Sequence, residues 1–143
     1  MASLKDTENA LNAAKLYALE HCEIADKYTL EELASLYNGI GPEAFPQWLR
    51  AVLDALHPSL APVAFIHDIE WSESDGSEEG FARSNDRFYR NGVKVAESEF
   101  GWWRPRRYAV IWHAWKFARI CQKFGWSAWR APYEARRAEG GGM

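Results

Sequence analysis

The stretch PRRYAVIWHAWKFARICQKFG, residues 105–125, sets the tightest limit on what this chain can fold into. It opens on a proline, whose fixed φ suits the first turn of a helix and whose missing N–H is no loss there. Tyr108, Ile111, Trp112, Trp115, Ala118 and Arg119 or Ile120 then recur near helical spacing, and Gly125 closes the run. The pattern predicts a helix over 105–124, and an apolar helix of that length needs other elements to pack on.

The rest of the chain supplies helices. Residues 4–23 (LKDTENALNAAKLYALEHCE) are rich in Ala and Leu, with Leu4, Leu11, Ala14, Leu16, Ala18 and Leu19 near one helical face. Thr29 followed by Glu32 is a capping box, opening a short helix through Tyr37 that Asn38-Gly39 would end. In NGIGPEAF, residues 38–45, two glycines and a proline predict a rigid loop with carbonyls free to turn inward. PQWLRAVLDALH, residues 46–57, again shows one apolar helical face. Pro58 and Pro62 break it, and Pro62 suits the first turn of the following helix, APVAFIHDIEW. SESDGSEEG, residues 72–80, reads as a solvated acidic loop, because its acids lack the spacing and closing glutamate of a calcium loop. FARSNDRFYRNGVKVAE, residues 81–97, returns to helical spacing with Phe81, Asn85 or Asp86, and Tyr89 on one side.

With no alternating stretch long enough for a strand, the expected fold is all-α, a single helical domain over residues 1–143. N-terminal helices occupy 1–37. A core over 38–97 holds the glycine loop and an antiparallel central helix pair at about 62–74 and 81–97. A basic aromatic helix covers 100–131, and 132–143 forms a flexible tail.

A composition of 48% hydrophobic and 26% charged residues excludes a disordered or membrane-embedded chain. Cys22 and Cys121 stand far apart without a CxxC pattern, so they read as reduced core thiols rather than a zinc site or disulfide framework. The start MASLKDTENALNAAK lacks a signal peptide, and no apolar run approaches the roughly 18 residues of a spanning helix, which points to cytoplasmic synthesis.

The net charge of −3 hides a division along the chain. Residues 1–99 hold 8 Lys+Arg against 18 Asp+Glu, whereas residues 100–143 hold 9 against 2. The basic segment also carries six of the eight tryptophans. Its charge could pair with the acidic front of the fold. Interleaved Arg and Trp equally suit a lipid headgroup interface, or stacking and phosphate contacts with single-stranded nucleic acid. Trp112 and Trp115, at i and i+3, read as core, while Trp126 and Trp129, beside Arg130, read as exposed.

FIHDIEW, residues 65–71, sets a histidine beside an aspartate inside an apolar run. A buried imidazole or carboxylate needs a partner, since an unpaired polar group costs roughly 1–3 kcal/mol. On a helix, Glu70 at i+3 and Trp71 at i+4 share the His67 side, while Asp68 points about 100° away. A carboxylate on the following antiparallel helix, near Asp86, could accept from one ring nitrogen of His67, leaving the other to take a proton from water. Asp68, facing elsewhere, could join carbonyls of the NGIGP loop in an all-oxygen cation site.

NGIGP, then FIHDIEW, then RSNDRFYRN, together resemble the phospholipase A2 superfamily, most nearly its small prokaryotic and phage-type branch. The resemblance covers roughly residues 37–91. It implies a calcium-dependent hydrolase of glycerophospholipid esters, with His67 as general base, Asp86 orienting it, and calcium held by Asp68 and a loop containing Gly39 and Gly41. The family's cysteines around this site are missing, Pro42 removes a backbone donor, and Trp71 stands where the family has tyrosine. Trp102, Trp103, Arg104, Arg106, Arg107, Trp126 and Trp129 are expected to seat the protein on a phospholipid surface, a role inferred from composition.

Two other functions fit parts of the pattern. A transition-metal phosphohydrolase would pair the HD dipeptide with His21 or His57 upstream, but leaves the glycine loop without a purpose. A catalytically inactive scaffold would instead bind a phage or host protein, or less readily nucleic acid, through its basic Trp-rich end. The chain would then act in the cytoplasm or be carried with a phage particle.

Overall fold

The computed structural model describes residues 2–37 and 56–141, and among these every regular element is helical. Helix α1 spans Leu4–Leu16, a 3₁₀ segment spans Cys22–Lys27 and α2 spans Leu30–Leu36. A 3₁₀ turn at Pro58–Leu60 leads into α3 (Ala61–Ser72), followed by α4 (Glu78–Glu99), α5 (Pro105–Phe124) and α6 (Trp126–Gly141). No helix among the described residues is long and apolar enough to cross a membrane. Residues 38–45 and most of the expected helix at 46–57 lie outside the described residues.

Local signals explain most boundaries. The Thr29 side chain accepts from Glu32 N–H while the Glu32 carboxylate accepts from Thr29 N–H, completing the capping box of α2. Proline opens both α3 and α5, and Gly125 ends α5 against the ring of Trp71, where any Cβ would collide. Helix α1, however, stops at Leu16 rather than running to residue 23. The chain there turns through left-handed Ala18 (φ 51°) and His21 (φ 67°). Tertiary contacts override the helical propensity: buried Asn91 of α4 accepts from Glu20 N–H (2.8 Å) and donates to Glu20 C=O (3.1 Å), while Lys94 Nζ donates to Ala18 C=O (2.6 Å).

Helix α3 is the central strut. Its residues Val63, Phe65, Ile66, His67, Ile69, Glu70 and Trp71 are all buried. It packs on α1 and runs antiparallel to α4, with Trp71 beside Phe81 (5.8 Å between ring centroids) and His67 beside Phe88 (5.2 Å). Helix α4 in turn lies antiparallel along α5, and the two approach so closely that a Cβ on Gly92 would clash with that of Ala114. This contact sets the spacing of every side chain bridging α4 and α5.

The acidic loop is shorter and more tightly held than its composition predicts, since Glu78, Glu79 and Gly80 already belong to α4. Asp75 Oδ1 accepts from Ser77 N–H and Oγ–H, and the Ser77 hydroxyl oxygen caps Gly80 N–H (2.9 Å). The expected flexible tail is also corrected: residues 126–141 form α6, which fastens this loop. Trp129 Nε1 donates to Ser77 C=O (2.9 Å), Arg130 to Gly76 C=O (3.0 Å), and Arg136 to the carbonyls of Ser72 and Ser74. Gly76, at φ 71°, lies under the Tyr133 ring.

Candidate active site

The helix pair brings His67 against α4, but the residue that meets it is Asn85. Buried positions on α4 recur as Phe81, Ser84, Asn85, Phe88, Asn91, Gly92, Val95 and Ala96, a strict i, i+3/i+4 pattern. Asn85 falls on that stripe, while Asp86 lies one step of about 100° off it and is exposed. The expected Asp86–His67 pair is therefore replaced by a neutral one, with His67 Nε2 3.0 Å from Asn85 Oδ1.

A second amide extends this bond. Asn85 Nδ2 donates to Gln122 Oε1 of α5 (2.9 Å), an arrangement in which Asn85 Oδ1 accepts from a protonated His67 Nε2. The ring lies among Trp71 (4.7 Å), Phe88 (5.2 Å) and Phe117 (5.7 Å) and is only 4% exposed. Burial pushes its pKa down to about 4, against a smaller opposing pull from Asn85. His67 is thus a neutral imidazole through the physiological range, with Nδ1 as its basic nitrogen. No local spacing marks Gln122, because only the approach of α5 brings it to Asn85. Trp71 has no hydroxyl, but its indole N–H donates to Ser84 Oγ (2.9 Å), which donates on to Phe81 C=O.

Asp68 follows His67 on α3 and is half-buried. Burial first, and the Asp68 carboxylate second, raise the Tyr37 phenol to about 12. Asp68 also adds to the burial that raises the Cys121 thiol. The Tyr37 hydroxyl itself donates to Ala61 C=O (3.3 Å) at the start of α3. The Asp68 carboxylate is the kind of hard oxygen donor that calcium prefers. Gly39 and Gly41, its expected companions, lie outside the described residues. Among the described residues no group of three or more His, Cys, Asp or Glu is arranged to hold a metal. His21 is engaged with Arg87 (2.9 Å), and His57 Nδ1 accepts from Ser59 N–H (3.1 Å), so neither joins His67 in a transition-metal site.

A second polar cluster sits one turn along α3. Glu70 Oε2 accepts from Arg87 (2.7 Å), the same guanidinium nitrogen that reaches His21. Glu70 is 8% exposed, and its Oε1 is buried without a hydrogen-bond partner, 3.7 Å from His21 Nδ1. Burial outweighs the pull of Arg87 and raises this carboxyl to about 7. The cluster opens on a small cavity of about 190 Å³. Glu70 shares the His67 side at i+3, as its spacing predicts, but its burial and its partners Arg87 and His21 arise only where α4 and the turn after α1 meet α3.

The aromatic end departs from expectation in a systematic way. Trp112 (51% exposed) and Trp115 (49%) face outward rather than inward, whereas Trp129 is core at 4%. Trp102 (72%) and Trp103 (67%) are exposed as expected, with Trp126, Arg104 and Arg106. Arg107 turns back to pair with Glu97 of α4 (3.1 Å). Trp129 is drawn in because its N–H finds the Ser77 carbonyl and its ring packs on Trp71 (5.9 Å). Compared with known proteins, the chain matches no family model, no curated sequence and no solved structure.

Proposed function

We propose that the chain is an ester hydrolase acting on glycerophospholipids, with His67 as the general base. The observation that carries this reading is the His67–Asn85–Gln122 chain. A neutral imidazole held by its Nε2–H, with a defined basic Nδ1, is what proton abstraction from an attacking water requires. Asn85 orients the ring as a carboxylate would, but a neutral partner and burial that lowers the ring's pKa to about 4 both disfavour the imidazolium, so a slower enzyme follows than one with a carboxylate partner. Asp68 and carbonyls of the stretch containing Gly39 and Gly41 would hold calcium. When bound, the ion would polarise the ester carbonyl and offset charge developing on its oxygen.

Fatty-acid release from mixed anionic and zwitterionic vesicles, followed with calcium and with chelator, tests the reading. Wild type should hydrolyse in calcium, and His67→Gln should lose about 10²- to 10⁴-fold, the usual contribution of a positioned base. Calorimetry should show calcium binding that disappears in Asp68→Asn. Absence of hydrolysis in wild type at millimolar calcium would sink the proposal. A second reading, a non-catalytic scaffold for a phage or host protein, is favoured by the enclosure of His67 within three aromatic rings. It expects His67→Gln to leave partner binding intact.

A further inference from the structure

Helix α5 is apolar on two opposite faces, and among the described residues only one of them is covered. At about 100° per residue, Val110, Ala114, Phe117 and Cys121 share the face turned to the core, and all four are buried. Tyr108, Trp112, Trp115 and Arg119 fall within roughly 60° of one another on the opposite side, and all four are exposed. A soluble helix normally turns a polar face to water, and a contiguous aromatic face left open marks an interaction surface.

The turn before α5 extends this face. Tyr108 donates its hydroxyl to Trp102 C=O (2.6 Å), tying the turn to the first helical turn. The Trp103 ring lies on Gly101, where a side chain would displace it. The tryptophans are thus presented on a fixed scaffold.

The charge on this face is cationic and uses the rings as supports. Lys116 lies over Trp112 (4.9 Å) and Arg119 over Trp115 (5.8 Å). Arg104 and Arg106 flank the turn, and α5 itself contains no Asp or Glu. Ring geometry chooses between the anionic partners that remain. A single-stranded nucleic acid needs open ring faces for its bases. Here Lys116 and Arg119 occupy a face of their rings, and Trp102 and Trp103 meet edge to face at 86° rather than forming a platform. Indoles at the apolar boundary with cations beside them, along a convex helix, match a headgroup layer.

We infer that the outer face of α5, with the Trp102–Trp103 turn, docks the protein on an anionic phospholipid surface. This deepens the proposed hydrolase by naming the face that meets its substrate, although the docking itself needs no catalysis. Co-sedimentation with sucrose-loaded phosphatidylcholine vesicles, with and without phosphatidylglycerol, in chelator tests it. Wild type and His67→Gln should bind the phosphatidylglycerol vesicles equally, and more weakly as salt rises. Trp112→Ala/Trp115→Ala should bind at least about tenfold more weakly, and Arg119→Glu, which keeps both indoles, should also weaken binding. Unchanged binding in both variants would overturn the inference. So would failure of wild type to bind, or loss in the variants of self-association or oligonucleotide binding instead. Docking lost with hydrolysis of a soluble short-chain ester kept would sink the surface alone; docking kept without hydrolysis would sink the hydrolase alone.

Discussion

Two buried polar clusters lie one turn apart on α3, and they are built on opposite principles. Around His67 every partner is neutral, so the ring is held by amides and its charge is disfavoured by burial. Around Glu70 the partners are ionic, yet one carboxylate oxygen has no donor, and the group is held near the middle of its titration at neutral pH. Neutral amides can satisfy a buried group completely, whereas a buried ion pair leaves desolvation to be offset and is sensitive to pH. The neutral cluster is suited to hold a base in one state; the ionic one is suited to anchoring α4 and the left-handed turn at His21 to α3.

Breaking the ionic cluster should cost most. Arg87→Met strands the Glu70 carboxylate and should destabilise the fold by about 3–5 kcal/mol above pH 8, and by less at pH 5, where Glu70 takes up a proton. Urea denaturation at the two pH values reads this difference. Asn85→Leu leaves the His67 Nε2–H buried without an acceptor and should cost about 1–3 kcal/mol at either pH.

The clusters also oppose each other in acid. The His67 pKa is about 4 in the fold against 6.5 unfolded, so its contribution is whole above 6.5 and is lost as pH falls toward 4. Glu70 lies at about 7 in the fold against 4.5 unfolded, so its contribution is whole below 4.5 and is lost as pH rises toward 7. Between 4.5 and 6.5 they partly cancel. Glu70→Gln should therefore lose stability more steeply than wild type as pH drops through that window in thermal melts. The smallest effect belongs to Gln122, which is solvent-exposed: Gln122→Leu should change stability by less than about 0.5 kcal/mol, yet release the Asn85 amide and mix the His67 tautomers.

These clusters show what the residue order carried and what it could not. The all-α fold, the antiparallel pair of α3 and α4, the Thr29 capping box and the bounds of α5 follow from spacing and end signals held within single segments. Placing His67 against α4 followed as well, but choosing Asp86 over Asn85 favoured chemistry over helical phase. Phe81 and Phe88 already put Asn85 on the inner stripe. Gln122, Arg87 and His21 could not be read, because their roles arise only when α5, α4 and the turn after α1 converge. Trp112 and Trp115 were assigned inward since apolar spacing marks a face without saying which of two apolar faces the core will take; Ala114 and Gly92 decided that by permitting close approach. The break after Leu16 was hidden for the same reason, since Asn91 enforces it from α4.

Long-range ¹H–¹⁵N spectra of the histidine rings between pH 4 and 8 put the His67 arrangement to the test. The His67–Asn85–Gln122 chain predicts one ring with a protonated Nε2, an unprotonated Nδ1 and no conversion to imidazolium until the pH falls well below 6. A His67 ring that titrates near 6.5, or that carries its proton on Nδ1, would contradict both the neutral amide chain and the base built on it.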